Sequence, residues 1–231
     1  MISRLHYITQ DLPDFSHSQL AEFACKGGAD WVQLRVKHPL SSPARPAGGS
    51  PPQGERKIHA SWLKIAEETK LVCKKYGVKL IINDNVQIAK EIGADGVHLG
   101  KDDMNPKEAR KILGNNFIIG GSSNTIEDVK RLIENGVDYI GVGPYRFTST
   151  KEKLNPVLGL KGIANIITQL PNYPIPIIAI GGITLEDIEP LMQTGIHGVA
   201  VSSAINLAED KSGMVKSFLN ALRTSPVTRN A

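Results

Sequence analysis

The chain has 231 residues, of which 41% are hydrophobic, 22% charged and only 5% aromatic; this balance excludes a disordered chain and predicts an aliphatic core. The formal net charge is +4 and the basic residues are scattered among acidic ones, so we expect a small anionic ligand rather than a nucleic acid. No run approaches the ~18 apolar residues of a membrane helix, and MISRLHYITQ lacks the apolar stretch of a signal peptide. The two cysteines, Cys25 and Cys73, form no metal-binding or disulfide pattern. We therefore expect a cytoplasmic protein and leave a homo-oligomer open.

Apolar runs recur along the chain and predict eight strands. Four of them lie within phrases that begin with Gly, at Gly28, Gly93, Gly136 and Gly195. These phrases are GADWVQLR, GADGVHLG, GVDYIGVG and GIHGVAVS. Gly suits the left-handed residue that closes a helix, and the β-branched residues that follow favour a strand. The other four runs are LHYIT (5–9), VKLIIN (78–83), NFIIGG (116–121) and IPIIAIGG (175–182).

Helical segments lie between these runs and predict the fold. They are SHSQLAEFACK, SWLKIAEETKLVCKKY, NVQIAKEI, NPKEARKIL, TIEDVKRLIEN, LKGIANIITQL, TLEDIEPLMQ and AINLAEDKSGMVKSFLNALR. TIED and TLED resemble capping boxes, because Asp stands three residues after Thr. Eight strand–helix units predict an α/β fold, a single-domain (β/α)8 TIM barrel with a parallel sheet. The alternative, an open doubly wound sheet, would show fewer units and a Gly-rich turn after LHYIT.

One segment interrupts this alternation. Residues 39–57, PLSSPARPAGGSPPQGERK, are rich in Pro and Gly and show no apolar periodicity, which predicts a mobile loop inserted after strand 2. The loop follows a strand on the face where barrel active sites lie, so a lid or an insertion without a role are both open. From about residue 224 we expect a frayed tail.

Polar residues follow the predicted strands, where a barrel carries its active site. In chain order they are Gln33, Arg35 and Lys37; Asn83 and Asp84; His98, Lys101, Asp102 and Asp103; Gly120, Gly121, Ser122, Ser123 and Asn124; Thr148, Thr150 and Lys151; Gly181 and Gly182; Ser202 and Ser203. The closed barrel predicts that these groups converge on one rim.

Cations after strand 2 predict an anion site. Gln33, Arg35 and Lys37 alternate, so we expect their side chains to share one face, and two cations are not buried without partners. A bound anion is one interpretation, and ion pairs with acidic residues inside the barrel are the other.

Carboxylates after strands 3 and 4 predict a metal site. Asp84 and Asp103 beside several cations and hydroxyls suit Mg²⁺ that also binds phosphate oxygens. Asp102 competes with Asp103, and NDN and KDD are also ordinary turn sequences.

The ends of strands 7 and 8 predict a phosphate site. Many barrels bind phosphate there through backbone N–H groups and a helix N-terminus, and Gly181 and Gly182 allow a close backbone approach. Ser202 and Ser203 follow the next strand. Two anion sites on one rim suggest a transfer between two phosphorylated substrates.

Seven motifs in order carry a resemblance to the thiamine-phosphate synthase family, also called thiamine-phosphate pyrophosphorylases. They are QLRVK, IND, GVHLGKDD, GGS, GPYRFTSTK, IAIGGIT and GVAVSSAI. They extend from predicted strand 2 to predicted strand 8, which makes the set far more specific than any one motif. The sequence is also similar, over several of them, to the thiazole tautomerases, which share the barrel.

The resemblance implies a reaction and a set of site residues. Its substrates are 4-amino-2-methyl-5-hydroxymethylpyrimidine diphosphate and 4-methyl-5-(2-phosphoethyl)thiazole or its carboxylated form, and it yields thiamine phosphate and pyrophosphate. The residues implied for the pyrimidine diphosphate are Gln33, Arg35, Lys37, Asn83, Ser122 and Lys151, of which Arg35, Lys37, Ser122 and Lys151 would be catalytic. Those implied for the thiazole phosphate are Thr148, Ser149, Thr150, Gly182, Ser202 and Ser203. Asp84 and Asp103 would hold Mg²⁺.

Three positions depart from the family pattern. Lys101 stands where the family often has Gln, Phe147 replaces a frequent Pro, and Asn124 falls where both families often have His. Asn cannot act as a general base at neutral pH, so Asn124 and the intact TSTK argue against the tautomerase. A non-catalytic phosphate-binding barrel is the remaining alternative. We interpret His98 as a packing residue inside the barrel rather than as an acid or base.

Overall fold

The eight predicted strands are parallel and close into a barrel in chain order, which confirms the (β/α)8 fold. The computed structural model describes residues 1–37, 53–147, 156–170 and 175–225. The strands are β1 (Leu5–Ile8), β2 (Trp31–Leu34), β3 (Lys79–Asn83), β4 (Gly96–Leu99), β5 (Ile118–Ser123), β6 (Tyr139–Val142), β7 (Ile177–Ile180) and β8 (Gly198–Val201). No helix in these ranges combines the length and the apolar character needed to cross a membrane.

Helices follow the strands and cover the outside of the barrel. They are α1 (His17–Lys26), α2 (Gln53–Tyr76), α3 (Val86–Ile92), α4 (Pro106–Leu113), α5 (Ile126–Glu134), α6 (Gly159–Thr168), α7 (Ile188–Gln193), α8 (Ser203–Asn206) and α9 (Lys211–Thr224). A short 3-10 turn, Leu185–Asp187, leads into α7. The main apolar core lies between this helical layer and the outer face of the sheet.

The four Gly phrases mark the starts of the even-numbered strands. Their glycines all have the predicted positive φ, from 62° to 92°. The third residue of each phrase bonds to the start of a neighbouring odd-numbered strand or to the chain just before it. The bonded pairs are Asp30 with the Ser3 hydroxyl, Asp95 with the Leu80 N–H, Asp138 with the Ile119 N–H, and His197 with the Ile2 carbonyl. The repeated phrase therefore helps to hold each even-numbered strand beside a neighbouring odd-numbered strand at the amino end of the barrel.

The interior of the barrel is filled by large side chains opposite small ones. Its apolar cluster is Ile8, Trp31, Ile81, Tyr139, Ile178 and Ala200. A Cβ on Gly120 would lie 2.1 Å from the ring of Tyr139, so this glycine makes room for the phenol. Polar residues, including His6, Gln33, Asn83 and His98, are buried among these groups.

Two predicted boundaries were wrong. Helix α2 begins at Gln53, so the last five residues of the predicted loop 39–57 are helical; the sequence after Pro51 and Pro52 contains good helix formers. The predicted C-terminal helix is interrupted between α8 and α9, because the Asp210 side chain accepts the Gly213 N–H and starts a new helix. The rest of the predicted loop, 39–52, and most of the predicted tail, 226–231, lie outside the described residues.

Candidate active site

The carboxyl ends of β2 and β3 bring two predicted site residues into contact. The Gln33 side-chain amide donates to the Asn83 side-chain oxygen over 2.7 Å, and both residues are buried inside the barrel. The strands pair in parallel with Gln33 opposite Ile81, which places the ends of both strands at the same height. The amide pair fixes the orientation of two side chains that the sequence assigns to one substrate.

Arg35 and Lys37 lie beyond β2, which ends at Leu34, so the predicted common face of one strand was wrong for them. Their backbone N–H groups donate to side chains from the β1 end: Arg35 to the Thr9 hydroxyl (3.1 Å) and Lys37 to the Asp11 carboxylate (3.0 Å). These bonds replace strand pairing there. The Lys37 side chain is exposed to solvent at the rim.

A buried histidine connects the two acceptors. His17 on α1 lies 2.8 Å from the Thr9 hydroxyl through Nδ1 and 3.2 Å from the Asp11 carboxylate through Nε2. Burial lowers the pKa of His17 more than the Asp11 carboxylate raises it, so the ring is neutral near pH 7. We call Thr9, Asp11 and His17 the β1–β2 clamp. Sequence reasoning missed it, although Thr9 ends the first predicted strand and Asp11 follows two residues later.

The two predicted metal ligands follow β3 and β4. Asp84 has φ 66°, the single positive φ outside glycine in the described ranges, and its N–H donates to the His98 carbonyl over 2.8 Å. The Asp103 carboxylate accepts the Gly100 N–H at 2.6 Å and holds the turn after β4. Asp102 in the same turn is exposed. No group of three or more His, Cys, Asp or Glu suited to a metal occurs among the described residues.

Ser122 on β5 contacts His98 inside the barrel. Its hydroxyl oxygen lies 2.9 Å from His98 Nε2, and the other ring nitrogen, Nδ1, lies 2.9 Å from the Tyr139 hydroxyl. Burial raises the pKa of Tyr139, so the phenol keeps its proton. His98 is buried in the interior, as predicted, but it also contacts a predicted site residue.

The ends of β7 and β8 carry the predicted phosphate site. Gly181 and Gly182 have φ 107° and 63°, conformations that L side chains rarely adopt. The Ser202 and Ser203 hydroxyls each donate to the Gln10 side-chain oxygen over 3.3 Å. Gln10, two residues beyond the end of β1, is another rim residue that the sequence reasoning missed. Helix α8, which begins at Ser203, has only four residues.

The loop after β6 is described at its two ends only. Thr148, Ser149, Thr150 and Lys151 lie outside the described residues, so their predicted roles stay predictions. Asn124 donates through its side-chain amide to the Gly143 carbonyl (2.8 Å) and the Pro156 carbonyl (3.0 Å). The Gly143–Pro144 peptide bond is cis. Asn124 therefore closes the base of the loop that contains TSTK.

Lys101, one of the departures from the family pattern, is bound by an acidic partner. Its ammonium pairs with Asp128 in the first turn of α5, and the same carboxylate accepts the Asn124 N–H at 3.2 Å. Burial alone would raise the pKa of Asp128, but hydrogen bonds from Lys101 and Asn124 outweigh it and lower the pKa. Lys101 thus joins the turn after β4 to the base of the β6 loop. Phe147, another departure, is exposed.

Comparisons with known proteins show which family the chain resembles. Residues 5–205 match the family model described as thiamine monophosphate synthase. The chain is 44% identical over 218 residues to the thiamine-phosphate synthase of Flavobacterium johnsoniae, covering 94% of both chains. It is 46% identical over 219 residues to that of Phocaeicola vulgatus, covering 94% of this chain and 96% of the relative.

A solved structure extends this likeness to the fold. Thiamine phosphate pyrophosphorylase from Pyrococcus furiosus superposes with a TM-score of 0.76 at 28% identity and covers 95% of each chain. Thiamine-phosphate synthesis, the activity named for these relatives, makes this chain a transferase of thiamine biosynthesis. The chain therefore belongs to the thiamine monophosphate synthase family.

Proposed function

We propose that this enzyme condenses 4-amino-2-methyl-5-hydroxymethylpyrimidine diphosphate with 4-methyl-5-(2-phosphoethyl)thiazole, or its carboxylated form, in the cytoplasm. The products are thiamine phosphate and pyrophosphate. The observation that carries the proposal is the placement of two polar sectors on one barrel rim. The sector from β2 to β5 holds Gln33, Asn83 and Ser122, and the sector from β7 to β8 holds Gly182, Ser202 and Ser203.

The diphosphate belongs to the first sector. Arg35, Lys37 and Lys151 neutralise its charge, and Gln33, Asn83 and Ser122 supply uncharged polar groups. Neutralisation matters because the CH₂–O bond breaks with both electrons leaving on the diphosphate oxygen. The thiazole nitrogen then donates its lone pair to the electron-poor carbon and forms the C–N bond. This substitution needs no protein nucleophile, and both cysteines are buried.

Asp84 and Asp103 are the ligands we assign to Mg²⁺. The donor set fits, because Mg²⁺ is usually held by one or two carboxylates together with substrate phosphates. The positive φ of Asp84 directs its backbone out of β3, and strained conformations of this kind concentrate at functional sites. When bound, the ion would neutralise charge on the departing diphosphate.

His98 sets the direction of the Ser122 hydroxyl. The buried Tyr139 O–H needs an acceptor, and His98 Nδ1 lies within hydrogen-bond distance of it. If Tyr139 donates there, Nε2 of the neutral ring carries the hydrogen and donates to Ser122. The Ser122 proton is then directed toward the substrate. His98 thereby acts through Ser122, without a role as acid or base.

The thiazole phosphate belongs to the second sector. Thr148, Ser149 and Thr150 would donate from the β6 loop, and Gly182, Ser202 and Ser203 from the β7 and β8 ends. Backbone N–H groups at such glycines suit phosphate, because no side chain separates them from the ligand. The two substrates then meet over the mouth of the barrel, between the two sectors.

The tautomerase alternative is disfavoured by the contacts of Asn124. Its amide nitrogen donates to two carbonyls that close the β6 loop, so the group is a structural donor rather than a base. A non-catalytic phosphate-binding barrel would retain ligand without turnover.

The test is an assay with both phosphorylated substrates and Mg²⁺, read as thiamine phosphate and pyrophosphate formed together. A tautomerase would instead alter the thiazole phosphate alone without added metal, and absence of both products would reject the proposal.

The metal assignment is tested by Asp84→Asn and Asp103→Asn, with Asp102→Asn as the matched control in the same turn. We expect the first two variants to lose activity while remaining folded, and the control to keep its activity. Near-normal turnover of Asp84→Asn at saturating Mg²⁺ would contradict the assignment.

A further inference from the structure

Asp187 is a buried carboxylate at the β7 end that the reaction proposed above does not use. Its side chain is only 5% exposed. It accepts the backbone N–H (2.8 Å) and the hydroxyl (2.9 Å) of Thr184, which start the 3-10 turn before α7. The bond from the Thr184 N–H is the one that the capping-box-like TLED sequence predicts, because in a capping box the N3 side chain accepts the N-cap N–H.

Two further donors reach Asp187 from the β6 loop. The Arg146 guanidinium binds both carboxylate oxygens through its two terminal nitrogens, and the Tyr145 hydroxyl donates over 3.1 Å. The guanidinium also lies 4.8 Å from the centre of the Tyr145 ring. A helix cap requires none of these contacts, so a single carboxylate joins two loops of the rim.

Backbone bonds continue the same junction. The Tyr145 N–H donates to the Ile180 carbonyl (2.8 Å) and the Arg146 N–H to the Gly181 carbonyl (2.9 Å). A Cβ on Gly182 would lie 2.9 Å from the Cβ of Arg146, so the two segments pack more closely than a residue with a side chain would allow. The start of the β6 loop is thus fixed against Gly181 and Gly182.

The junction lies directly before the segment 148–151. Phe147 alone separates Arg146 from Thr148 in the sequence. On the other side, the Leu158 N–H donates to the Pro144 carbonyl and the Gly159 N–H to the Tyr145 carbonyl. Both ends of the loop are therefore held to the same short stretch of chain.

The ion pair with Asp187 also engages the guanidinium of Arg146, the arginine of the GPYRFTSTK motif. Burial would raise the pKa of Asp187, but hydrogen bonds from Arg146, Thr184 and Tyr145 lower it. The same carboxylate raises the pKa of Arg146. Both groups are charged at neutral pH, and the guanidinium donates to a carboxylate in the bidentate geometry that a phosphate would otherwise use.

We propose that Asp187, Arg146 and Tyr145, which we call the β6–β7 clamp, are positioning residues for the thiazole phosphate. Arg146 acts through Gly181 and Gly182, against which its backbone is held, and not as a phosphate ligand. The inference rests on the proposed function, which assigns Gly182 to that phosphate.

Steady-state kinetics test it, with each substrate varied while the other is saturating. In Asp187→Asn we expect KM for the thiazole phosphate to rise at least tenfold, while KM for the pyrimidine diphosphate stays within twofold. Arg146→Lys keeps the charge but loses the bidentate geometry, so it shows the same selective rise. Tyr145→Phe loses one bond and gives a smaller rise.

The matched control is Asp138→Asn at the opposite end of the barrel. Asp138 accepts a guanidinium bond from Arg110 (2.7 Å) and the Ile119 N–H (2.7 Å), which is similar chemistry away from the rim. We expect Asp138→Asn to lower the melting temperature about as much as Asp187→Asn does, and to leave the KM values of both substrates unchanged. If Asp187→Asn lowers the melting temperature alone, the clamp is only structural and the proposal is wrong.

Two other results separate the possible failures. If Arg146 is a phosphate ligand, releasing it in Asp187→Asn should lower KM for the thiazole phosphate, which would overturn the inference. Thr150→Ala tests the loop itself: an unchanged KM for the thiazole phosphate rejects the loop assignment in the proposed function. A raised KM in Thr150→Ala with no change in Asp187→Asn rejects the clamp alone.

Discussion

The β1–β2 clamp and the β6–β7 clamp both tie a rim loop to the neighbouring strand end, but they hold different parts of it. In the first, uncharged His17 braces Thr9 and Asp11, and these accept the backbone N–H groups of Arg35 and Lys37. In the second, the carboxylate of Asp187 accepts the charged side chain of Arg146.

The difference shows that an arginine just after a barrel strand can be bound by an acidic side chain of the same protein. QLRVK and GPYRFTSTK each place an Arg just after a strand. In QLRVK, backbone bonds fix the loop, and the Lys37 ammonium is exposed at the rim. In GPYRFTSTK the guanidinium itself binds the carboxylate of Asp187. We therefore expect the two arginines to have different tasks.

The largest expected effect separates these two arginines. We predict that Arg35→Ala lowers kcat/KM for the pyrimidine diphosphate by about 100-fold or more, because a charge-assisted bond to the leaving group is lost. Arg146→Ala should instead raise KM for the thiazole phosphate. Steady-state kinetics on both substrates decide the matter; if the two variants show the same substrate profile, the distinction between the arginines is wrong.

A smaller effect is expected in the β1–β2 clamp. Asp11→Asn weakens the bond to the Lys37 N–H, and one hydrogen bond to a charged group contributes roughly 1.5–3 kcal/mol. We expect about a tenfold rise in KM for the pyrimidine diphosphate and no change for the thiazole phosphate. Asp14→Asn, an exposed carboxylate in the same segment, is the control and should match the wild type.

The smallest effect is a difference in pH dependence. The folded pKa of His17 lies below its value of 6.5 in the unfolded chain, so the unfolded chain takes up a proton first and stability falls as the pH drops below 6.5. The folded pKa of Asp187 lies below 3.8, so the contribution of its ionised form persists down to about that pH and is lost only in stronger acid.

Urea unfolding at pH 7 and pH 5.5 measures this difference. His17→Gln cannot titrate, so its free energy of unfolding should fall less between the two pH values than that of the wild type. The gap cannot exceed about 1.4 kcal/mol per pH unit for one proton. Asp187→Asn should show the wild-type pH dependence in this interval; equal slopes for all three proteins would contradict the assignment of His17.

The barrel and much of the rim follow from local patterns in the sequence. Strand periodicity and the four Gly phrases predict the eight strands, and the rule that barrel sites follow strands predicts that Gln33 and Asn83 lie together. The same rule, applied to the first strand, would have found Thr9, Gln10 and Asp11.

The role of Asp187 could not be predicted in this way. TLED satisfies the local capping pattern, so nothing in it indicates a partner, and Arg146 lies 41 residues earlier in the chain. Only the closure of the barrel brings the two together. The contact between His98 and Ser122 could not be predicted for the same reason, since GVHLG is equally consistent with interior packing.

The bonds that pin even-numbered strands at the amino end bear on how this enzyme can change. Moving a parallel strand by one residue would exchange its interior and exterior faces and turn Gln33 out of the site. Asp30 fixes β2 at the end remote from the rim, through Ser3, so the alignment of the strand does not depend on the residues beyond Leu34. The chain can therefore accommodate the long Pro- and Gly-rich stretch after β2 while its interior amides keep their places. In the even-numbered strands, alignment is held at the amino end, whereas the proposed chemistry lies at the carboxyl end, so a change in a rim loop need not shift a strand.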